Sequence, residues 1–442
     1  MKNKVKLIFP LLAALSLHLA AQERQPLTLD KAIELSLKNS NQLKSNRAQI
    51  EEANAALKEA EQKRLPDAKV SGSYMRLSNA NFDLKTQSNN SSGGSSNEAP
   101  DVSQAMYGIV SLSLPVYNGG RIRYGIESSR FLAEAAKLDA DHEKEQVIQN
   151  TIAAYINLYK AKKAVELVKD NLEQSKHRVN DLGNLEKNGL LARNDLLKAE
   201  LQSSNTELML LDVENNWKLA NVNMTLMLGL PGDAELIPDS SISYNIPELK
   251  PLEEYIQAAM NSRNDIASID LKKKAAQTGV KATKGEMYPG LSLTGGYIAA
   301  DVPKVLSVTN AINVGVGVSY NIGSLWKTKA KVKQAEARVK QVEATAAMAN
   351  DKVRLEVNKA YLDYLSSKKK IEVYQKAVEQ ANENYRITKN KYDNSLATTT
   401  DLLDADVAQL QAQLNFAFAK ADAIVAYNSL LLSAGIITEN QQ

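Results

Sequence analysis

The sequence predicts a mainly α-helical fold that also carries transmembrane β-strands, built as two tandem repeats of helices plus a β-hairpin. Three observations lead there: an internal repeat, two pairs of alternating strands, and two very long heptad-patterned segments. The repeat appears when the second half is slid against the first at an offset of 206, which aligns Ala154-Tyr155 with Ala360-Tyr361, Asp195-Leu196-Leu197 with Asp401-Leu402-Leu403, and Leu228-Gly229 with Ala434-Gly435. Upstream, Leu65-Pro66 matches Tyr288-Pro289 at an offset of 223, so the first copy holds 17 extra residues before Val110. A Ser/Asn/Gly run at Ser88 to Asn97 lies within this extra material and reads as a flexible loop. Self-similarity at this scale marks one structural plan used twice.

Each copy opens with a short helix, Leu29 to Asn39 and Leu252 to Ser262, and a second, Asn41 to Arg64 and Asn264 to Met287, which stops at a proline. A strand follows in each, Ala68 to Leu77 and Gly290 to Ala299. The returning strand is clearest in copy two, where Val314, Val316, Val318, Tyr320 and Ile322 alternate with Gly315, Gly317, Ser319, Asn321 and Gly323. In copy one Val110, Leu112, Leu114 and Val116 alternate with Ser111, Ser113 and Pro115. One apolar face, one small or polar face and about ten residues per strand is the pattern of strands with lipid outside and water inside. A soluble hairpin lying on a core has the same period. Four strands are too few to close a barrel, since the smallest closed ones need about eight. Insertion therefore requires several chains, because an open edge in lipid leaves backbone groups unpaired.

Beyond each hairpin runs a helix from Arg121 to about Lys187 and from Lys327 to about Asp393, each roughly 100 Å long at 1.5 Å per residue. A heptad seam holds in the first through Val147, Thr151, Ala154, Leu158, Ala161, Val165, Val168, Leu172, Ser175, Val179 and Leu182. The second repeats it from Val353 through Tyr364, Tyr374 and Tyr385 to Thr388. Sustained heptads predict coiled-coil packing, and many small knobs suit side-by-side packing in a wide cylinder. Turns at Asn188-Gly189 and Asn394-Ser395 send the chain back toward Gly229 and Gly435. The expected division is a signal peptide at 1–21, repeat one at 22–229, a linker at 230–250 and repeat two at 251–442.

The leader Met1 to Lys6 is basic, and Leu7 to Ala20 is apolar apart from Pro10, Ser16 and His18. This reads as a secretory signal peptide cut after Ala20 or Ala21. The competing reading, an uncleaved anchor, needs about 20 apolar residues, and the stretch falls short. No cysteine exists, which removes disulfides, thiolate metal sites and cysteine nucleophiles. No later apolar run is long enough to cross a bilayer as a helix. The net charge of +3 is spread among mixed lysines and glutamates and makes no case for nucleic acid.

Enzyme chemistry finds no foothold. Of three histidines, His18 leaves with the leader, and His142 and His177 lie in the long helix without acidic or hydroxyl partners at ligand-like spacing. Gly315-Val316-Gly317 lacks the third glycine of a dinucleotide loop, and neither a nucleophile elbow nor a phosphate loop is present. No cofactor and no metal site is expected. Trp217 and Trp326 read as packing or interface residues.

The leader, the paired helix-hairpin-helix repeats and the tip segments Gly189-Leu190-Leu191-Ala192-Arg193-Asn194-Asp195 and Ser395-Leu396-Ala397-Thr398-Thr399-Thr400-Asp401-Leu402-Leu403-Asp404 resemble the TolC family of outer-membrane efflux proteins over nearly the whole mature chain. The resemblance implies a homotrimer whose pooled strands form a 12-stranded outer-membrane β-barrel, continued by a long periplasmic α-helical coiled-coil barrel. It implies a passive, gated exit duct for drugs or other small toxic molecules in a Gram-negative outer membrane. Its partners would be outer-membrane lipid, a periplasmic membrane-fusion adaptor and an inner-membrane pump of the resistance-nodulation-division or ABC type.

By the same resemblance Asp401 and Asp404 form carboxylate rings at the periplasmic entrance, where converging charge favours cations. The plainer reading is that acids in a first helical turn complement the helix dipole. The family's closed entrance links an aspartate after the first tip, a tyrosine before the second and an arginine just past the second turn. Asp195 and Tyr392 match two of these, Ala397 stands where the arginine would be, and Arg193 is the candidate substitute. Gly189-Leu190 and Ser395-Leu396 match the adaptor-docking tips, with Gly189 also suited to a left-handed helix cap. A periplasmic coiled-coil adaptor or scaffold is the competing class, and an exit duct for type I protein secretion is an alternative cargo reading. Adaptors, however, need a compact β-domain that this pattern lacks.

Overall fold

The computed structural model describes residues 25–80, 102–239, 248–303 and 306–437. The leader, the Ser88 to Asn97 run and part of the 230–250 linker lie outside the described residues. The elements, in chain order, are β1 (Gln25–Leu27), α1 (Leu29–Asn39), α2 (Asn41–Gln62), β2 (Asp67–Ala80), β3 (Val102–Asn118), α3 (Arg121–Lys187), α4 (Arg193–Leu228), β4 (Leu236–Pro238), α5 (Leu252–Ser262), α6 (Asn264–Lys284), β5 (Gly290–Val302), β6 (Leu306–Ser319), α7 (Ser324–Asp393) and α8 (Thr399–Ser433). Two compact units emerge, each drawing on both halves of the sequence: residues 45–142 with 263–352, and the described residues up to 44 with 143–262 and 353–437.

The strand-bearing unit holds a four-stranded antiparallel sheet in the order β2-β3-β5-β6, so β2 and β6 are open edges. Its register collects most of the apolar residues of all four strands on one face, with Tyr107, Ile109 and Ile298 on the other. Ala68 pairs with Leu112, Leu112 with Gly295 and Gly295 with Val314; the neighbouring row is Val70, Val110, Tyr297 and Ile312. The opposite face carries Ser71, Ser73, Ser111, Ser113, Thr294, Ser292, Gly315 and Gly317. The apolar face is bare, with Val314 88% exposed.

One sequence expectation is corrected here. Tyr320 and Ile322 continue the alternation of β6, yet the strand ends at Ser319. Its partner Gly290 is preceded by Pro289, which has no N–H to extend the ladder, so the chain turns through Asn321-Ile322 into α7. The joint from β3 to α3 is Gly119-Gly120, both at positive φ, and a Cβ on Gly119 would collide with the carbonyl oxygen of Gly285.

Within the same unit α3 and α6 are tied by Ser128 Oγ donating to the Ala275 carbonyl, Ser268 Oγ to that of Ala135, and Lys272 to Asp139. His142 lies 4.0 Å from Asp265, which the Arg263 guanidinium also forks. That histidine therefore has an acidic neighbour from α6 that its own sequence surroundings did not reveal. The Asp265 carboxyl feels burial pushing its pKa up, but Arg263 and His142 outweigh it and hold the group below the usual carboxylate range.

The second unit contains the remaining helices and the parallel pair β1-β4. Its core joins Ile152, Tyr155, Ile156 and Leu158 of α3 to Met224 and Leu228 of α4, Leu27, Leu236, Leu431 and Ile437. Tyr155 donates from its hydroxyl to the Leu27 carbonyl at 2.8 Å and accepts from the Asp239 N–H at 3.0 Å, anchoring both short strands. Trp217 packs against this core under Lys162, as a packing residue, whereas Trp326 of the strand-bearing unit is 62% exposed.

Every heptad seam residue of α3 from Val147 to Leu182 is buried or half-buried, as is every seam position of α7 from Val353 to Thr388. The other faces of α7 and α4 are exposed and carry Leu355, Leu362, Val373 and Ile387, and Leu197, Leu201, Leu208, Leu219 and Leu226. Such rows of solvent-facing leucine on long helices are seams without a partner in the single chain.

Candidate functional site

Both helical hairpins end in the same backbone device. At the first tip Leu190 N–H donates to the Leu185 carbonyl and Gly189 N–H to that of Glu186, with Gly189 at φ +73. At the second, Leu396 N–H donates to the Lys391 carbonyl and Ser395 N–H to that of Tyr392, with Ser395 at φ +59. This is the helix-ending motif that satisfies the last carbonyls through a left-handed residue. Glycine accepts it freely, whereas an L-residue such as Ser395 is strained there. No atom stands within 4 Å of where a Gly189 Cβ would lie, so conformation and not space makes glycine suitable. The motif throws one leucine outward at each tip, Leu190 at 74% and Leu396 at 77% exposure.

Beneath the tips a small core gathers Leu182, Leu196, Ala199 and Leu403, with Val179, Leu191 and the Tyr392 ring packed on it. It joins the two hairpins through side chains of α3, α4, α7 and α8. Lys198 adds a polar tie, its ammonium reaching Asp195 at 3.3 Å and Thr400 Oγ1 at 3.1 Å. Asp195 thus meets Lys198, and among the described residues it makes no hydrogen bond with Tyr392. Arg193 sits 3.8 Å from Glu186, across the turn of its own hairpin.

Asp401 closes a capping box on α8. Its carboxylate accepts from the Thr398 N–H at 2.8 Å and hydroxyl at 2.7 Å, while its own N–H donates to Thr398 Oγ1. Those hydrogen bonds from Thr398 hold its pKa below the ordinary aspartate value. Asp404 lies one turn further on, exposed on the same helix face, while Leu402, Leu403 and Ala405 turn inward.

The strongest polar cluster of this region was not singled out in the sequence. Arg178 of α3 forks Asp406 of α8, Nη1 to Oδ2 and Nη2 to Oδ1, both at 3.0 Å, and Nη2 also donates to the Tyr385 hydroxyl of α7 at 3.1 Å. Asn171 adds a 3.4 Å contact to the same carboxylate. Asp406 is 2% exposed. Burial alone would pull the guanidinium pKa down, but the bonds and charge of Asp406 and Tyr385 raise it above its usual value. One side chain therefore binds three helices about 16 Å of helix away from Gly189. The signal was legible: Asp406 interrupts the i, i+4 stripe Leu402, Leu410, Leu414 that α8 buries, and a charge in a buried stripe demands a partner.

No helix among the described residues is long and apolar enough to cross a membrane, which says nothing of strands. No group of three or more metal-ligating side chains occurs among them.

Comparison with known proteins places these features. A family model described as "Outer membrane efflux protein" matches residues 32–230 and 255–435. The Outer membrane efflux protein BepC of Brucella suis biovar 1 is 22% identical over 334 residues, 75% of this chain and 72% of that protein. Among solved structures, the outer-membrane channel OprN superposes with a TM-score of 0.78 at 20% identity, covering 92% of this chain and 89% of that one. VceC, an outer membrane protein of Vibrio cholerae, gives 0.76 at 19% identity, covering 92% and 96%.

Proposed function

The chain belongs to the outer membrane efflux protein family; it is an outer-membrane channel that serves as the exit duct of an efflux pump, and we propose that it works as a homotrimer with a gated periplasmic entrance. The observation that carries the trimer is the sheet: four strands with a bare apolar face and two open edges, β2 and β6. In lipid those edges must pair, and the strands of three chains suffice for a closed wall of 12. The unpartnered leucine rows of α4 and α7 support the same arrangement, since neighbouring chains would cover them.

Within that reading the duct is passive, and its energy comes from an inner-membrane pump of the resistance-nodulation-division or ABC type. A membrane-fusion adaptor docks at the two tips, where Gly189-Leu190 and Ser395-Leu396 offer an exposed leucine on a stiff turn. Asp401 and Asp404 line the entrance as carboxylate rings, and Asp195, Tyr392 and Arg193 belong to its closure. Because Ala397 offers no guanidinium, Arg178 with Asp406 and Tyr385 supplies the tie between the hairpins that a closed entrance needs. A leader at 1–21, repeats at 22–229 and 251–442 and an equatorial linker at 230–250 complete the organisation. The cargo is a small organic toxicant.

The test is the purified protein in a planar bilayer, together with cross-linking in detergent. Discrete cation-favouring conductance steps and a trimer band are expected. A monomer released from membranes by carbonate, with no conductance, refutes the duct and leaves a periplasmic scaffold.

A further inference from the structure

The strand-bearing unit contains a cleft of about 800 Å³ where the turn after α2, the end of β3 and the first turns of α3 meet. Val116, Ile126 and Phe131 give it an apolar wall, and Arg64, Arg123 and Arg130, set against the single carboxylate of Glu127, give it a net positive charge. All three arginines are exposed, and none makes an ion pair among the described residues; Arg123 lies only over the Tyr124 ring, at 5.9 Å. A bulge between Pro115 and Tyr117 leaves Val116 out of the β3-β5 ladder and bends the strand at this spot. The cleft sits where the apolar sheet gives way to helix, a level also marked by exposed Tyr117, Tyr288 and Trp326. Exposed aromatic rings at such a level are the signature of a membrane–water boundary.

The repeat supplies an independent observation. Positions aligned with Arg64, Arg123 and Arg130 in copy two are Met287, Lys329 and Glu336, so the same local fold is built there with one cation in place of three and no guanidinium. The arginines are therefore not a requirement of the backbone. Unpaired guanidinium forks match phosphate oxygens, and an apolar wall continuous with a lipid-facing sheet matches an acyl chain. Resting on the outer-membrane reading, we infer that this cleft seats the headgroup of an anionic phospholipid of the periplasmic leaflet, one per chain.

The experiment is native mass spectrometry of the full protein in mild detergent, with phosphatidylglycerol, phosphatidylethanolamine and inorganic phosphate as probes. Phosphatidylglycerol is retained in preference to phosphatidylethanolamine, and each arginine changed to glutamine lowers that preference about fivefold. A control triple, Arg47→Gln with Lys58→Gln and Lys137→Gln, removes the same charge elsewhere on the unit and leaves the preference intact. Millimolar phosphate does not displace the lipid. Equal retention of the two lipids, an equal loss in the control, or displacement by phosphate overturns the inference, the last by making the cleft a small-anion site. If the triple arginine variant does not assemble, Arg130→Gln alone carries the same readout. A protein found in the outer membrane but indifferent to lipid charge sinks this site only, whereas one that never reaches that membrane sinks the channel reading.

Discussion

Changing Arg178 to methionine isolates the cost of the buried tie between the two helical hairpins. The guanidinium makes two parallel bonds to Asp406 at 3.0 Å and a third to Tyr385 at 3.1 Å. Its loss leaves a carboxylate that is 2% exposed with only the 3.4 Å contact to Asn171. Breaking a buried pair from one side costs about 3–5 kcal/mol, because the remaining charge is stranded out of water. Tyr385→Phe removes one bond at a half-buried position and costs about 1 kcal/mol. The double change Arg178→Met with Asp406→Leu strands no charge and recovers most of the loss, since apolar replacement of a buried pair is often neutral. Urea unfolding in detergent, followed by helical circular dichroism, of the wild type, Arg178→Met, Asp406→Leu and their double variant measures the coupling as a double-mutant cycle. If the two single losses simply add in the double variant, the side chains are not coupled and the tie does not exist. In bilayers Tyr385→Phe, which frees α7 while sparing the Arg178–Asp406 pair, raises conductance; an unchanged value removes this cluster from the closure.

Four further outcomes follow from the geometry. Ser395→Gly relieves a left-handed L-residue and stabilises the second hairpin by about 1 kcal/mol, while Gly189→Ala costs a similar amount at the first; denaturant midpoints that move the other way contradict the turn assignment. Asp404→Ala reduces cation preference in a salt-gradient reversal-potential measurement, and Asp401→Ala does so while also fraying α8; identical selectivity in both variants removes the carboxylate rings. Tyr155→Phe costs about 1 kcal/mol, because the Asp239 N–H keeps its bond to the Leu27 carbonyl, and a loss several times larger would mean the two short strands detach. Asp265, whose folded pKa is depressed, contributes stability that is fully present above the ordinary aspartate pKa of about 3.9 and is lost as pH falls through its lower folded value. Asp265→Asn should therefore flatten part of the acid limb of a stability–pH curve, and an unaltered limb speaks against the Arg263 and His142 contacts.

Much of the fold was legible because its signals are periodic and local. The helices 29–39, 41–62, 252–262 and 264–284 begin where the apolar period begins, and two of them run up to a proline-bounded turn. The heptads that announced α3 and α7 coincide with their protected faces, because a helix that buries one stripe must repeat it in sequence. β1 and β4 escaped notice, since three-residue strands have no period and exist only because they pair with each other. At the tips Gly189 stood out by turn chemistry, and Leu190, Ser395, Leu396 and Asp401 by their match to the family's tip and entrance positions. The partners of Asp195 and Arg193 did not, since which neighbour a surface carboxylate meets depends on helices brought together from distant sequence.

By itself the sequence determined the doubled plan, the strand faces and the two long seams, because each is written in side-chain order at a period of two or seven. Only the tertiary structure decided that β6 stops at Ser319, that Asp401 caps its own helix, and that Arg178 and Asp406 meet across 228 residues of chain. Those outcomes depend on which backbone group or charge finds a partner at about 3 Å, and one-dimensional spacing does not encode that distance.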